Sequence, residues 1–144
     1  MNQAKSVLII DDDPDFVRAV RHLLESAGYV VAAASDGREG LAQAKTMRPD
    51  LILLDVMMQD RTEGFFVLEQ IREVAALRTT PVIVISSIYS DIPVFRVSPE
   101  SGWLPADVFL PKPVDPARLV AESGRLTAAD YAGRGGTEKG GDLR

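Results

Sequence analysis

Short runs of consecutive apolar residues recur along the chain, each ending in a polar or charged group. Ser6-Val7-Leu8-Ile9-Ile10 ends at Asp11-Asp12-Asp13, Leu51-Ile52-Leu53-Leu54 at Asp55, Val82-Ile83-Val84-Ile85 at Ser86-Ser87, and Val108-Phe109-Leu110 runs into Pro111-Lys112-Pro113. Tyr29 to Ala34 is a further run of the same kind. Runs without polar alternation predict strands covered on both faces, as in a parallel sheet. Between them the apolar period becomes helical. Phe16, Val17, Val20, Leu23, Leu24 and Ala27 share one face, with Asp13 as N-cap, Pro14 at the first helical position and Gly28 as the stop. Ser35-Asp36-Gly37 turns into a helix carrying Leu41, Ala44 and Met47, stopped by Pro49. A third helix carries Phe66, Val67, Leu68, Ile71 and Val74, with Glu69, Arg72 and Glu73 expected on its solvated face. Asp115-Pro116 opens a last helix through Leu119 and Val120 to Leu126.

Strand and helix therefore alternate about five times, which predicts an α/β fold: a doubly wound five-stranded parallel sheet with helices on both faces. Right-handed crossovers give the flavodoxin-like order 2-1-3-4-5. One helix slot is degraded, because Pro93, Pro99, Gly102 and Pro105 make Ile88 to Pro105 irregular. Residues 1–126 are expected to form one domain and 127–144 a flexible tail, since from Gly133 onward glycine and charge replace any apolar face.

Composition narrows the function. The chain has 144 residues, 46% hydrophobic and 26% charged, with net charge −5. The acidic balance argues against direct nucleic-acid binding. The absence of cysteine excludes disulfides, thiolate metal sites and a cysteine nucleophile, and fits a cytoplasmic protein. No apolar run approaches membrane-spanning length and the start lacks signal-peptide anatomy.

In the 2-1-3-4-5 order the first and third strands are neighbours, so Asp11, Asp12 and Asp55 converge at one sheet edge, with Ser86 and Lys112 ending the next two strands on the same side. Converging carboxylates raise one another's pKa or require a cation. Three of them suit Mg²⁺, a hard ion that takes oxygen ligands and often bridges to phosphate. Asp55, placed centrally, can attack phosphorus as a nucleophile. The Lys112 ammonium and the Ser86 hydroxyl can hold phosphoryl oxygens. Each group has an ordinary alternative: Asp11 to Asp13 as a polar turn and cap, Asp55 as an N-cap, Ser86 as a turn hydroxyl, Lys112 as a surface lysine. His22 reads as a surface residue.

These residues and their surrounding runs resemble the receiver domain of two-component response regulators, over roughly residues 5 to 126. The resemblance implies that Asp55 accepts a phosphoryl group from a histidine kinase or histidine phosphotransfer protein. It implies that Asp12, Asp55 and the Met57 carbonyl bind Mg²⁺, with Asp11 acting through water. It also implies that Ser86 and Phe109 form the switch pair, that Lys112 holds the phosphoryl group, and that Lys112-Pro113 is a cis bond. Catalysis is then confined to the chain's own phosphorylation and slow autodephosphorylation, Met57 and Ile88 being bulky enough to screen the attacking water. With no output domain expected after the receiver, the signal passes to a downstream protein of unknown identity, by binding or by onward phosphotransfer.

Three departures stand out. The loop after Asp55 carries Gln59 where the family usually has proline and is one residue longer; Phe109 replaces the commoner tyrosine; and Ile88 to Pro105 replaces the usual fourth helix. Ile92, Val94, Phe95, Val97, Trp103 and Leu104 in that segment either pack down as an ordered loop, the favoured reading, or form a docking patch. A phosphorylation-independent interaction module is the alternative those departures motivate. A phosphatase of the dehalogenase type, suggested by Asp11 and Asp13, would need a further cap and a later acidic pair, for which this chain is short, and the placement of Lys112-Pro113 fits a receiver better.

Overall fold

The computed structural model describes residues 4–56, 63–86 and 106–129; residues 63–65 are described by their backbone alone. Strands β1 (Ser6–Ile10), β2 (Val30–Ala34), β3 (Leu51–Asp55), β4 (Val82–Ser86) and β5 (Val108–Pro111) alternate with helices α1 (Pro14–Ser26), α2 (Gly37–Met47), α3 (Glu63–Glu73) and α4 (Pro116–Thr127). All strand pairings are parallel, and the order is β2-β1-β3-β4-β5. That is the expected doubly wound sheet. The segment expected to be irregular, Ile88 to Pro105, and the tail from Gly133 lie outside the described residues.

The period of two along each strand sends alternate side chains to opposite faces. Leu8, Ile10, Ile52, Leu54, Val82 and Val84 pack beneath α2 and α3, against Ala44, Val67, Leu68 and Ile71. Val7, Ile9, Leu51, Leu53, Ile83 and Ile85 pack against Val20 and Leu24 of α1 and Leu119 and Leu126 of α4. β1, β3 and β4 are thus apolar on both faces because both faces are covered. The helix starts follow the capping chemistry: Asp13 accepts from the backbone N–H groups of Asp15 and Phe16, Asp36 from that of Glu39, and Asp115 from that of Arg118. His22 is exposed.

Two local expectations fail. Val74 does not continue α3; it takes extended geometry and caps a 3-10 turn, Ala75–Leu77, whose Leu77 is fully buried. Phe66 is 60% exposed and contributes little to the core. Nor is the polar face of α3 uniformly solvated. Glu69 and Glu73 are exposed, but the Arg72 guanidinium turns inward. It donates to the carbonyls of Leu77, Arg78 and Thr80 at 3.1, 3.1 and 2.6 Å, and to Asp107 Oδ1 at 3.3 Å. The same Asp107 oxygen accepts from the Val82 N–H at 2.9 Å. The clamp joins the end of α3, the 3-10 turn and the entries to β4 and β5. Local periodicity cannot reveal it, since the groups Arg72 satisfies are backbone carbonyls of a turn and a side chain far along the chain.

At Gly40 of α2 a Cβ would meet three side-chain carbons of Ile10 at 2.6–2.9 Å, so the helix rests on β1 at a distance only glycine permits. Gly40→Ala should therefore destabilise the domain by about 1–3 kcal/mol in urea denaturation, despite alanine's higher helix propensity. Arg72→Ala leaves the Asp107 carboxylate, itself 3% exposed, with its principal cation gone. A loss of roughly 3 kcal/mol is expected, whereas a solvated arginine would cost no more than about 0.5 kcal/mol.

Candidate functional site

The carboxyl edge of the sheet gathers the chemistry. Asp11 directly follows β1, Asp55 is the last residue of β3, Ser86 the last of β4, and Lys112 directly follows β5. Register places them together: Ile10 pairs with Leu54, Asp55 with Ile85, and Ser86 with Pro111. The Lys112 N–H donates to the Ser86 carbonyl at 2.8 Å, extending that ladder one step past β5.

One carboxylate oxygen each from Asp11, Asp12 and Asp55 lies within 4.8 Å of the others. Asp11 and Asp55 are 2% and 3% exposed, and Asp12 is half-buried. The Lys112 ammonium stands beside two of them, 3.0 Å from Asp11 Oδ2 and 3.3 Å from Asp55 Oδ2. Asp13, expected as a cap, is not one of the three and caps α1; its backbone N–H donates to Asp11 Oδ1 at 2.9 Å. Asp11 Oδ2 is buried and has no hydrogen-bond partner among the described residues, so the ammonium meets it as a charge rather than as an aligned donor. Ser86 is fully buried. Phe109 is half-buried against the cluster beneath α2 and α3, and its backbone pairs with Val84 on the neighbouring strand. The Lys112–Pro113 peptide bond is cis. Met57, Gln59 and Ile88 lie outside the described residues.

Burial, chiefly, pushes the Asp11 carboxyl up from its ordinary 3.8 to about 6; the neighbouring Asp55 charge adds to this, while the Asp13 hydrogen bond and Lys112 oppose it. For Lys112, burial acts to lower the pKa, but Asp11 and Asp55 together outweigh it and the net shift is upward. The site therefore holds a charged ammonium beside a carboxyl group that surrenders its proton only near pH 6.

A further contact escaped the sequence: the Lys112 ammonium lies over the Phe16 ring, 4.3 Å from its centroid. Phe16 reads from periodicity as one more apolar position of α1, and it does pack against that core. Its position at the third residue of a helix opened by the acidic triplet was the available signal, because the first turn of such a helix faces whatever the triplet faces.

The chain matches the family model for the response regulator receiver domain over residues 7–123. It is 38% identical over 118 residues to the DNA-binding dual master transcriptional regulator RpaA of Synechocystis sp., covering 80% of this chain and 46% of that protein. It is 32% identical over 114 residues to an uncharacterized 14.6 kDa protein of Leptolyngbya boryana, covering 79% of this chain and 83% of that one. Among solved structures, the Vibrio cholerae chemotaxis protein CheY4 superposes with a TM-score of 0.72 at 32% identity, over 86% of this chain and 99% of its own. The chain spans about half or less of the length of the first two curated relatives it matches. No described helix is long and apolar enough to cross a membrane. A family match across most of the chain, together with relatives above 30% identity that align with about four fifths of it, settles its kinship: the chain belongs to the response regulator receiver domains of two-component signalling.

Proposed function

We propose that the domain is a phosphoacceptor whose nucleophile is Asp55, charged by a histidine kinase or histidine phosphotransfer protein. The observation that carries this reading is the convergence of three carboxylates at the carboxyl edge of the sheet, two of them, Asp11 and Asp55, in contact with one ammonium. A carboxylate oxygen of Asp55 attacks the donor's phosphorus. The bond from phosphorus to the donor's histidine nitrogen breaks, its electron pair stays on the imidazole, and an acyl phosphate remains on the chain. Lys112 is already within reach of the Asp55 oxygens. Its ammonium can follow a phosphoryl oxygen without leaving the site, and so favours charge that develops there. Ser86, buried at the end of the adjacent strand, is the hydroxyl positioned to sense the new group, and Phe109, one strand further, is its partner in the switch.

Mg²⁺ fits the donor set. All three side chains offer hard oxygen ligands, and Asp11 Oδ2 is a buried oxygen lacking a donor among the described residues. Asp12 and Asp55 would hold the ion with the Met57 carbonyl, and Asp11 would act through water. When bound, the ion supplies positive charge that neutralises phosphoryl oxygens in the transition state. The domain's catalysis is directed at its own aspartate. Its output is contact with a downstream protein or onward phosphotransfer, and a net charge of −5 favours a protein over a nucleic acid for this contact. Composition without cysteine supports a cytoplasmic setting. The working unit is taken as residues 1–126, with α4 running on to a buried Thr127 whose hydroxyl donates to the Ser123 carbonyl.

Asp55→Asn is expected to abolish labelling by acetyl phosphate in the presence of Mg²⁺; undiminished labelling of that variant would sink the assignment. A pH dependence also follows. Asp11 in the folded chain keeps its proton up to about pH 6, where the unfolded chain has lost it near 3.8. The folded state binds more protons in that window, so metal-free stability should fall as pH rises from about 4 to about 6, by on the order of 1–3 kcal/mol. Urea midpoints of wild type and Asp11→Asn, compared across pH, should show the fall in wild type alone. Added Mg²⁺ should raise the wild-type midpoint above pH 6 and have little effect below pH 5, since an ion competes poorly with a bound proton.

A further inference from the structure

The Lys112 ammonium is bounded by unlike neighbours. Two carboxylate oxygens lie at 3.0 and 3.3 Å, and the Phe16 ring lies 4.3 Å away measured to its centroid. The lysine side chain is 18% exposed, so most of it is shielded from water. An aromatic face attracts a cation within about 6 Å through its quadrupole. It takes up none of the ammonium's N–H groups as a conventional acceptor would, so it can exclude water while leaving those donors free to turn toward an anion. A lysine head is otherwise a strongly hydrated point charge on a flexible stem, costly to order.

The ring is placed by the same turn that carries the acids. Phe16 is the third residue of α1, and its N–H is held by Asp13 Oδ1 at 3.3 Å. Asp13 in turn donates its N–H to Asp11 Oδ1 at 2.9 Å. One short segment therefore sets the first carboxylate and the ring in fixed relation, and Lys112 arrives between them from the end of β5.

We propose that Phe16 is a positioning residue for Lys112: its ring holds the ammonium at the carboxylate cluster and keeps its donors on the side where phosphoryl oxygens arrive. The inference rests on the phosphoacceptor reading of Asp55. Phe16 contacts no reacting atom in this scheme and acts through the lysine alone.

The test replaces Phe16 in the full chain with a series of ring-fluorinated phenylalanines. Fluorination largely preserves shape while weakening the quadrupole stepwise, which a packing role would not register. Labelling by acetyl phosphate with Mg²⁺ should slow by about 3- to 10-fold across the series with the thermal midpoint unchanged. Phe16→Trp should label at close to the wild-type rate, and Phe16→Leu as slowly as the most fluorinated ring. Equal rates along the series would overturn the inference while leaving Asp55 as acceptor. If the unmodified chain takes no label at all, the phosphoacceptor reading falls, and NMR of the Lys112 ε-methylene still decides the positioning. Its protons should lie upfield and its order parameter be high in wild type, both relaxing in Phe16→Leu. A resonance indifferent to that substitution would overturn the ring's hold on the lysine.

Discussion

Electrostatic repulsion among carboxylates governs this domain's carboxyl edge. Asp11, Asp12 and Asp55 bring oxygens within 4.8 Å of one another, two of the three side chains nearly sealed from water. Such a cluster costs free energy unless protons, a cation or an ammonium relieve it. Lys112 supplies one such charge; the pKa of Asp11 is still raised, chiefly by burial, with the Asp55 charge adding to it. A cluster of hard carboxylate oxygens in this condition suits a divalent ion. Stability is sacrificed at the edge for this convergence.

The sheet makes the sacrifice tolerable. β1, β3 and β4 bury apolar side chains on both faces, so the strand ends bearing the charges are fixed by the hydrophobic cores behind them. The 2-1-3-4-5 order places β3 between β1 and β4, and so puts Asp55 at the centre of the edge. Around the opposite ends of β4 and β5, Arg72 and Asp107 perform a purely structural task. They satisfy the carbonyls of a turn that the α3 sequence alone would not have predicted. The two charged groupings differ in kind: at Arg72 the guanidinium meets three carbonyls and a carboxylate, whereas at Lys112 a single ammonium is shared by two acids and leaves an oxygen of Asp11 without a donor among the described residues.

Much of this was legible in the order of residues. Apolar runs covered on both faces, helix caps at Asp13, Asp36 and Asp115, and polar groups at strand ends depend on local chemistry, and a strand order follows from the handedness of crossovers. Asp11, Asp12, Asp55, Ser86 and Lys112 could be named because each directly follows or ends an apolar run. Distances, burial and the sharing of Lys112 between Asp11 and Asp55 depend on how separated segments meet, and only the tertiary structure decided them. The same is true of Phe16 and Arg72, read from the period of their helices as an ordinary core position and an ordinary surface charge. Periodicity reports which side of a helix a residue occupies; it carries no information about the single partner, an ammonium or a turn's carbonyls, that another part of the chain brings to that side.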